Sequence, residues 1–482
     1  MLSTSQQLIE ITRLFERWSG ESPLEVTALP MSGSDRKYYR IKYTRGSLLG
    51  AYNPVAEENR AFINFTRHFS KLRLPVPEII AEDTSKNIYL LEDLGDITLF
   101  SLLPHTYDQV YFEPKIIGLY KDILDLLPRF QIDAVDGFDF SACYPRQVFD
   151  RSSMLWDLNY FKYYFLRLAG IIHDEQKLED DFQAFVDFLL EADHSYFLYR
   201  DFQSRNIMIH NGTPWFIDYQ GGRKGALQYD LASLLYDAKA NLHPQQREVL
   251  LDYYINSAQK HTHIDTIKFK EYFYGFVLIR IMQAMGAYGF RGFYEKKTLF
   301  LQSIPFALRN LRWLIDNDKM PAGLSYLRSL LEKIIVSPEL KKYETPPANL
   351  KVTIRSFSYK KGIPSDNSGN GGGFVFDCRS LSNPGKEERY KKKTGKNLEV
   401  IQYLENTPAV AEFIESTNRL VENTVNAYLQ RGFTHLMVCF GCTGGQHRSV
   451  YAAELLARHL ENKYPITIDL LHCEEQSWPI EM

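Results

Sequence analysis

Cysteine is scarce, with five residues at 143, 378, 439, 442 and 473 in a chain of 482. The odd count speaks against a disulfide framework, and Cys439 and Cys442 form a lone CxxC without the second pair a zinc site needs. Long apolar runs are missing too. No stretch approaches the roughly 20 residues of a membrane helix. The opening Met-Leu-Ser-Thr-Ser-Gln-Gln has neither the basic nor the apolar region of a signal peptide. Charge of either sign is in no excess: the net value of −3 calls for neither a nucleic acid nor a membrane as partner of the whole chain. Internal repeats and long low-complexity tracts are lacking as well. A cytoplasmic protein in a reducing compartment, with no membrane partner, is the expectation. What is present in quantity is aromatic: 31 Phe and 31 Tyr, read as dense core packing. The length implies two or three domains.

Two boundaries punctuate the pattern. Ile88-Tyr-Leu-Leu-Glu-Asp-Leu-Gly95 reads as a strand running into a connector. Before it, Ser32–Ile41 and Ser47–Tyr52 read as a turn and short strands, and 57–72 as a helix. After it helices dominate, at 112–130, 157–169, 178–191, 245–260 and 268–288. The second boundary lies at 336–350, where Ser337-Pro-Glu and Tyr343-Glu-Thr-Pro-Pro-Ala-Asn stop a helical region. Beyond it come strands at 351–357, 374–378, 436–440 and 466–471, with helices at 408–430 and 449–461. That alternation predicts an α/β layer fold.

The chemistry concentrates in Tyr199-Arg-Asp-Phe-Gln-Ser-Arg-Asn206, followed by Phe216-Ile-Asp-Tyr-Gln220. An acid, an Asn five residues on, and a second acid behind a short apolar strand suit phosphoryl transfer. Asp201 is placed to orient and deprotonate an acceptor hydroxyl, while Asn206 and Asp218 are placed to hold the metal ions that bridge nucleotide phosphates. Weaker candidates are Arg223 and Lys224 as phosphate or substrate contacts, and Trp156, Asp157 and Tyr160 as the wall of a sugar pocket. Aromatics at that helical spacing also suit a core.

Residues 1–335 resemble the aminoglycoside phosphotransferase/choline kinase family, whose loop reads His-Gly-Asp-x-x-x-x-Asn. Here Tyr199 and Arg200 precede Asp201. Within the family the likeness is to bacterial anomeric kinases of cell-wall recycling, which phosphorylate N-acetylmuramate and N-acetylglucosamine at C1. It is carried by Arg200-Asp-Phe-x-x-Arg-Asn206, Asp218-Tyr-Gln220 and Gly33-Ser-Asp-Arg-Lys-Tyr-Tyr-Arg40. The resemblance implies ATP and Mg2+ as cofactors and a small hydroxylated acceptor, an amino sugar. It implies Asp201 as base, Asn206 and Asp218 as metal ligands, and a structural role for Asp230. Ser34, Asp35, Arg36, Lys37 and Glu92 are the nucleotide contacts it suggests. One departure stands out. Kinases carry a Lys on the third strand, and Ser47-Leu-Leu-Gly-Ala-Tyr-Asn-Pro54 has none. Either Arg36, Lys37 or Arg40 supplies that charge, with Glu57 or Glu58 as the helix acid, or the domain binds nucleotide without turnover.

In the last third, Leu436-Met-Val-Cys-Phe-Gly-Cys-Thr-Gly-Gly-Gln-His-Arg-Ser449 is a strand, a Gly-rich loop and a helix start, a ready anion site. It lacks the Gly-Lys-Ser/Thr ending of a P-loop. His447, Arg448, Ser449 and Thr443 add charge and hydroxyls. Cys442-x5-Arg448-Ser449 also has the spacing of a cysteine-phosphatase loop, in which a thiolate attacks phosphate. Residues 351–475 resemble the C-terminal domain of the RNase adapter RapZ, through Phe374-Val-Phe-Asp-Cys-Arg-Ser-Leu-Ser-Asn-Pro384, Thr394-Gly395 and Gly441–Ser449. That likeness implies sensing of a phosphorylated amino sugar and binding of small RNA. The positions it marks are Asp377, Arg379, Thr443, Gly444, Gly445, His447, Arg448 and Ser449, beside the candidate thiol Cys442. The basic run Lys386, Arg389, Lys391, Lys392, Lys393 and Lys396 suits RNA phosphates or, with its interleaved acids, a solvated loop.

The expected organisation is an α+β, protein-kinase-like bilobal domain followed by an α/β domain of three-layer type. Residues 1–95 form the N-lobe, 96–335 the helical C-lobe, 336–350 the linker and 351–482 the phosphosugar-binding domain. The alternative of another class is a non-catalytic sensor, a pseudokinase scaffold joined to a ligand- or RNA-binding module.

Overall fold

The computed structural model describes residues 4–29, 36–104, 108–341, 343, 350–366, 368–369, 372–431, 433–464 and 466–478. They divide into two compact units, Met1–Phe290 with Ser303–Leu340, and Arg291–Gln302 with Lys341–Met482. Among the described residues no helix is long and apolar enough to cross a membrane.

The first unit opens with α1 (Thr4–Ser19), then β1 (Glu25–Ala28), β2 (Lys37–Tyr43), β3 (Gly46–Tyr52), α2 (Ala56–Lys71), β4 (Ile79–Asp83) and β5 (Ile88–Glu92). The strands form one antiparallel sheet in the order β1-β2-β3-β5-β4. Helix α1 was not expected from the pattern, although Ile11, Leu14 and Phe15 lie on one helical face. They bury against Tyr39, Ile41 and Leu48 of the sheet. The approach is close at Gly50, where a Cβ would stand 2.3 Å from Ile11 Cγ2. An alanine there would push the helix off the sheet.

The rest of this unit is mainly helical: α3 (Pro114–Gln131), α4 (Arg151–Tyr160), α5 (Glu175–Leu190), α6 (Leu227–Leu235), α7 (Pro244–Ala258), α8 (Thr266–Tyr288), α10 (Ile304–Asp316) and α11 (Ser325–Val336). Between α5 and α6 lie β6 (Tyr196–Leu198), β7 (Ile207–His210), β8 (Thr213–Phe216) and β9 (Arg223–Gly225). Helix α4 starts six residues earlier than expected because Asp150 caps it, its carboxylate accepting the Ser153 N–H at 2.9 Å. A sheet of one hand of secondary structure followed by a helical part is the bilobal α+β arrangement expected.

The chain passes from the first unit to the second within α12 (Pro338–Lys341). The second unit contains α9 (Thr298–Leu301), β10 (Lys351–Ser358), β11 (Gly373–Asp377), α13 (Leu398–Glu405), α14 (Pro408–Arg431), β12 (His435–Cys442), α15 (Arg448–Lys463) and β13 (Thr467–His472). Its four strands run parallel in the order β11-β12-β10-β13. Val352, Ile354, Leu436, Val438 and Phe440 face a core shared with Val400, Val421, Tyr451, Leu456 and Leu460 of the helices. Met437 and Cys439 point to the opposite face with Phe357. This is the α/β layering expected of alternating strands and helices. It also separates Cys439 from Cys442, since residues three apart on a strand project to opposite faces.

Candidate active site and anion loop

Strands β7 and β8 form a hairpin around Asn211-Gly212, both at positive φ (51° and 79°), the backbone a tight two-residue turn requires. Ile207 pairs with Phe216, so the residues just outside the hairpin meet. The Ile217 N–H donates to the Asn206 carbonyl at 3.1 Å. Asn206 Nδ2 donates to Asp218 Oδ2 at 3.2 Å and to the Asp201 carbonyl at 2.9 Å. Three residues spread over eighteen positions are thereby gathered by one short ladder. The Asn-Gly turn was the local signal for this hairpin, and it was not among the elements expected.

Asp218 is held at φ +70°, an uncommon backbone for a non-glycine residue, with Gln220 Nε2 on its Oδ1 at 2.7 Å. Burial pushes its carboxyl above the usual range, and the neighbouring Asp201 pushes it further. Two half-buried carboxylates with an amide oxygen beside them make a donor set suited to a hard divalent cation. Among the described residues no group donates a hydrogen bond to the Asp201 side chain, so its oxygens are open to an incoming hydroxyl.

The loop itself is pinned from below. Asp230 accepts from Tyr199 N at 2.8 Å, Arg200 N at 3.0 Å and Gln131 Nε2 at 2.9 Å. Arg200, at φ +83°, forks onto Asp157 with contacts of 2.8 and 2.7 Å and reaches Tyr229 Oη at 2.6 Å. Asp157 is therefore a buried anchor of the loop. Trp156 is 64% exposed and lies parallel to Tyr160 at 5.7 Å, so it belongs to the surface and not to the core.

Burial raises the Asp230 pKa to about 7 against its three donors, which lower it. An unfolded Asp titrates near 4, so between about 4 and 7 the folded chain holds a proton the unfolded chain releases. Stability from this group is greatest at the acid end and is lost as pH rises through about 7. Asp230→Asn is expected to flatten that dependence. It should also lower stability by about 1–3 kcal/mol, because its NH2 faces a backbone donor. Denaturant melts across this pH range read both effects.

A buried arginine stands close to the lysine-free strand. β3 carries none, but Arg36, immediately before β2, is 3% exposed. Its Nη2 lies 3.8 Å from Glu58 Oε2 on α2, and its guanidinium lies 5.5 Å from the Phe62 ring centre. Burial opposes its charge, and the oxygens of Tyr89, Tyr38 and Asp218 outweigh that. Among the described residues none of its three nitrogens has a hydrogen-bond partner. Arg40, by contrast, is engaged at the connector by Asp93 (2.7 Å) and Asp96 (2.9 Å). Glu58 is the acid beside Arg36, while Glu57 pairs with Arg60 at 3.3 Å. Lys37 is half-buried on β2, and Glu92 ends β5 with Oε2 accepting Glu78 N at 3.3 Å. Ser34 and Asp35 lie outside the described residues.

In the second unit, Asp377 pairs in register with Gly441, so Asp377, Arg379 and Cys442–Ser449 gather at the carboxyl edge of the parallel sheet. That is where open α/β sheets take ligands. Burial raises the Cys442 thiol, but the Ser449 hydroxyl and the N–H groups of Ser449, Gly444 and Gly445 overcome it and leave it below the ordinary range. Gly445 N and Ser449 Oγ both lie 3.2 Å from the sulfur. Arg448 turns away from the loop, with Nη1 on the carbonyls of Arg379 (3.0 Å) and Leu381 (2.9 Å). His447 Nε2 lies 2.9 Å from the Tyr390 carbonyl, and burial lowers its pKa. Both side chains clamp the 379–393 segment. Thr443 offers its carbonyl to Ser358 Oγ at 2.8 Å, and Arg379 pairs with Asp377 over the Tyr359 ring. Of the basic run, Arg389, Lys391, Lys393 and Lys396 pair with Glu387, Glu388, Glu399 and Glu475.

Gly445 sits at φ +66°, with the Ser358 N–H 3.0 Å from where a Cβ would stand. Gly445→Ala is expected to cost about 1–3 kcal/mol in this unit. Thermal unfolding with the first unit's activity as reference measures it.

Comparison with known proteins agrees with this anatomy. Residues 25–263 match the phosphotransferase enzyme family, and residues 350–474 match the RapZ C-terminal domain. A nucleotide-binding protein of Cereibacter sphaeroides is 41% identical over 119 residues, 24% of this chain and 38% of that protein. Another, from Neisseria meningitidis, is 33% identical over 163 residues, 34% of this chain and 52% of that protein. The chain thus spans about two fifths to one half of the length of these curated relatives. Among solved structures, choline kinase from Cryptosporidium parvum is 14% identical (67% of this chain, 99% of that one, TM-score 0.44). Ethanolamine kinase from Plasmodium vivax is 12% identical (61% and 84%, TM-score 0.44). The chain thus carries a match to the phosphotransferase enzyme family followed by a match to the RapZ C-terminal domain.

Proposed function

We propose that the first unit is an ATP-dependent kinase of a small hydroxylated acceptor, an amino sugar of cell-wall recycling. The observation that carries the kinase reading is the assembly of Asp201, Asn206 and Asp218 by the β7–β8 hairpin. Asp201 would orient the acceptor hydroxyl and take its proton as the oxygen attacks the γ-phosphorus. Asn206 and Asp218 would hold a divalent cation such as Mg2+, which supplies charge neutralisation at the phosphates. Arg36 would add the positive charge that kinases otherwise place on the third strand. The amino-sugar assignment is supported by the Arg200–Asn206 and Asp218–Gln220 motifs and by the RapZ-type domain on the same chain. For the second unit we propose that the Cys442–Ser449 loop binds a phosphorylated amino sugar through its backbone N–H groups. The pairing of the 386–396 run with glutamates leaves less of its charge for RNA phosphates.

An acceptor screen of the full chain, read by ADP release with N-acetylmuramate, N-acetylglucosamine and glucosamine, tests the kinase. Phosphosugar formation that depends on Asp201 is the expected result. A second reading, a nucleotide-binding sensor, is favoured by the lysine-free β3. ATP binding without turnover on any acceptor would establish it in place of the kinase.

A further inference from the structure

Beside the loop that carries Asp201 lies a small cleft of about 30 Å³, room for a single oxyanion head and not for a whole sugar, walled by Gln203, Ser233, Asp237, Arg280 and Asn310 among others. The Gln203 N–H donates to the Asp201 carbonyl at 2.9 Å, so the cleft adjoins the proposed base directly. Two of its walls carry a buried donor atom that meets no acceptor among the described residues. Arg280 is 7% exposed and Ser233 3% exposed. The atoms are Arg280 Nε and Ser233 Oγ. Arg280 donates from Nη1 to Gln283 and stands 5.4 Å from the Tyr229 ring centre, but it makes no ion pair among the described residues. Asp237, the acid on the wall, is already occupied by the N–H and hydroxyl of Ser204, at 3.2 and 2.5 Å. Asp157 is likewise taken by Arg200.

A buried guanidinium held by no ion pair is costly, and the cost falls when an anion arrives to meet it. Two anions visit a kinase site, the nucleotide phosphates and any acidic group of the acceptor. Of the buried cations, Arg36 lies beside Glu58 on α2, while Arg280 lines the cleft together with Gln203 of the Asp201 loop. Arg223, 7% exposed with its Nε on the Gly221 carbonyl at 3.0 Å, adds positive potential near Asp201. The metal-and-nucleotide side thus has its cation in Arg36, and Arg280 is left for the acceptor side.

We propose that Arg280 and Ser233 bind an anionic group of the acceptor, a carboxylate or phosphate, and so select acidic acceptors over neutral and cationic ones. This rests on the kinase reading of Asp201 and extends it to the charge of the acceptor. A planar guanidinium matches either oxyanion, and the serine hydroxyl supplies a further donor from the next helix.

The test is a charge series of acceptors: glucosamine, N-acetylglucosamine and N-acetylmuramate with the full chain. The wild-type kcat/KM is expected to be highest with the carboxylate sugar. Arg280→Gln should lower that value by about 10- to 100-fold. The neutral sugar should change less than about 3-fold, and the KM for ATP should hold. Ser233→Ala should move the same way by less, and Arg280→Lys should recover part of the loss. These two carry the test where Arg280→Gln does not fold. Equal losses across the series, a raised KM for ATP with sugar order intact, or a wild type that prefers the uncharged sugar would each overturn the proposal. Should the wild type phosphorylate none of the three, the kinase reading fails by itself. Calorimetry with the same sugars then decides the cleft, upheld by carboxylate-selective binding that Arg280→Gln abolishes and overturned by binding without charge preference.

Discussion

Asp201→Asn is expected to lower kcat by about 10²- to 10⁴-fold while nucleotide affinity stays within a few-fold. The side chains are nearly isosteric. The Asn206 amide uses the backbone carbonyl of residue 201, so the loop keeps its shape in the variant. What is lost is the proton acceptor. Because no described donor occupies the Asp201 carboxylate, its removal leaves no orphaned partner to disturb the fold, and the kinetic effect reports chemistry alone. Single-turnover phosphate transfer together with ATP titration checks both halves. A variant that turns over as fast as the wild type would remove Asp201 from the mechanism. One that stops binding ATP would move it to the nucleotide side.

The second large effect belongs to Arg36. Arg36→Met is expected to lower kcat/KM for ATP by about 10²- to 10³-fold, the range seen when one preorganised charge-stabilising donor is removed. Its neighbours explain the size. The guanidinium lies within reach of Glu58 and acts on Asp218, in a pocket where no described residue accepts a hydrogen bond from it. Charges in such a dry setting interact far more strongly than at the surface. Arg36→Lys should restore part of the rate, since an ammonium brings the charge without the planar fork. Arg40→Met is the control. Its partners are Asp93 and Asp96 at the connector, so it should perturb stability before it perturbs ATP binding. If the two substitutions exchanged effects, the assignment of Arg36 would be wrong.

The residues proposed to carry the chemistry were legible because their spacing is set by local structure. Asp201, Asn206 and Asp218 are tied by a five-residue loop and a hairpin, and both leave a mark in the chain. The strand–helix alternation after residue 350 was legible for the same reason, each element carrying its own period. Choices among neighbours were not legible. Arg36, Lys37 and Arg40 look alike as cations on one segment, and only the packing of α2 and β5 against it buries the first and gives the third to Asp93. Glu57 and Glu58 differ by 100° of helix rotation, and the burial that separates them comes from elsewhere in the sheet. Arg448 follows a glycine-rich loop and was expected to face an anion. Instead it reaches the carbonyls of 379 and 381, more than sixty residues away in sequence. Arg280 and Ser233 carried no motif at all, since each is set in the cleft by helix packing alone.

The β7–β8 hairpin has one more property, which concerns counting and not chemistry. Side chains alternate along its strands, so every residue added to or taken from one strand reverses the facing of all that follow. Asn206 and Asp218 stand at its two open ends, and the turn of Asn211 and Gly212 sits midway between them. The interval of twelve therefore works as a measuring stick. Outside the Asn-Gly turn and the buried Ile207 and Phe216, the residues inside it are free to vary in kind as long as their number holds. Removing one residue from β8 would rotate Asp218 away from Asn206, while exchanging Thr213 or Met208 would leave the two in place.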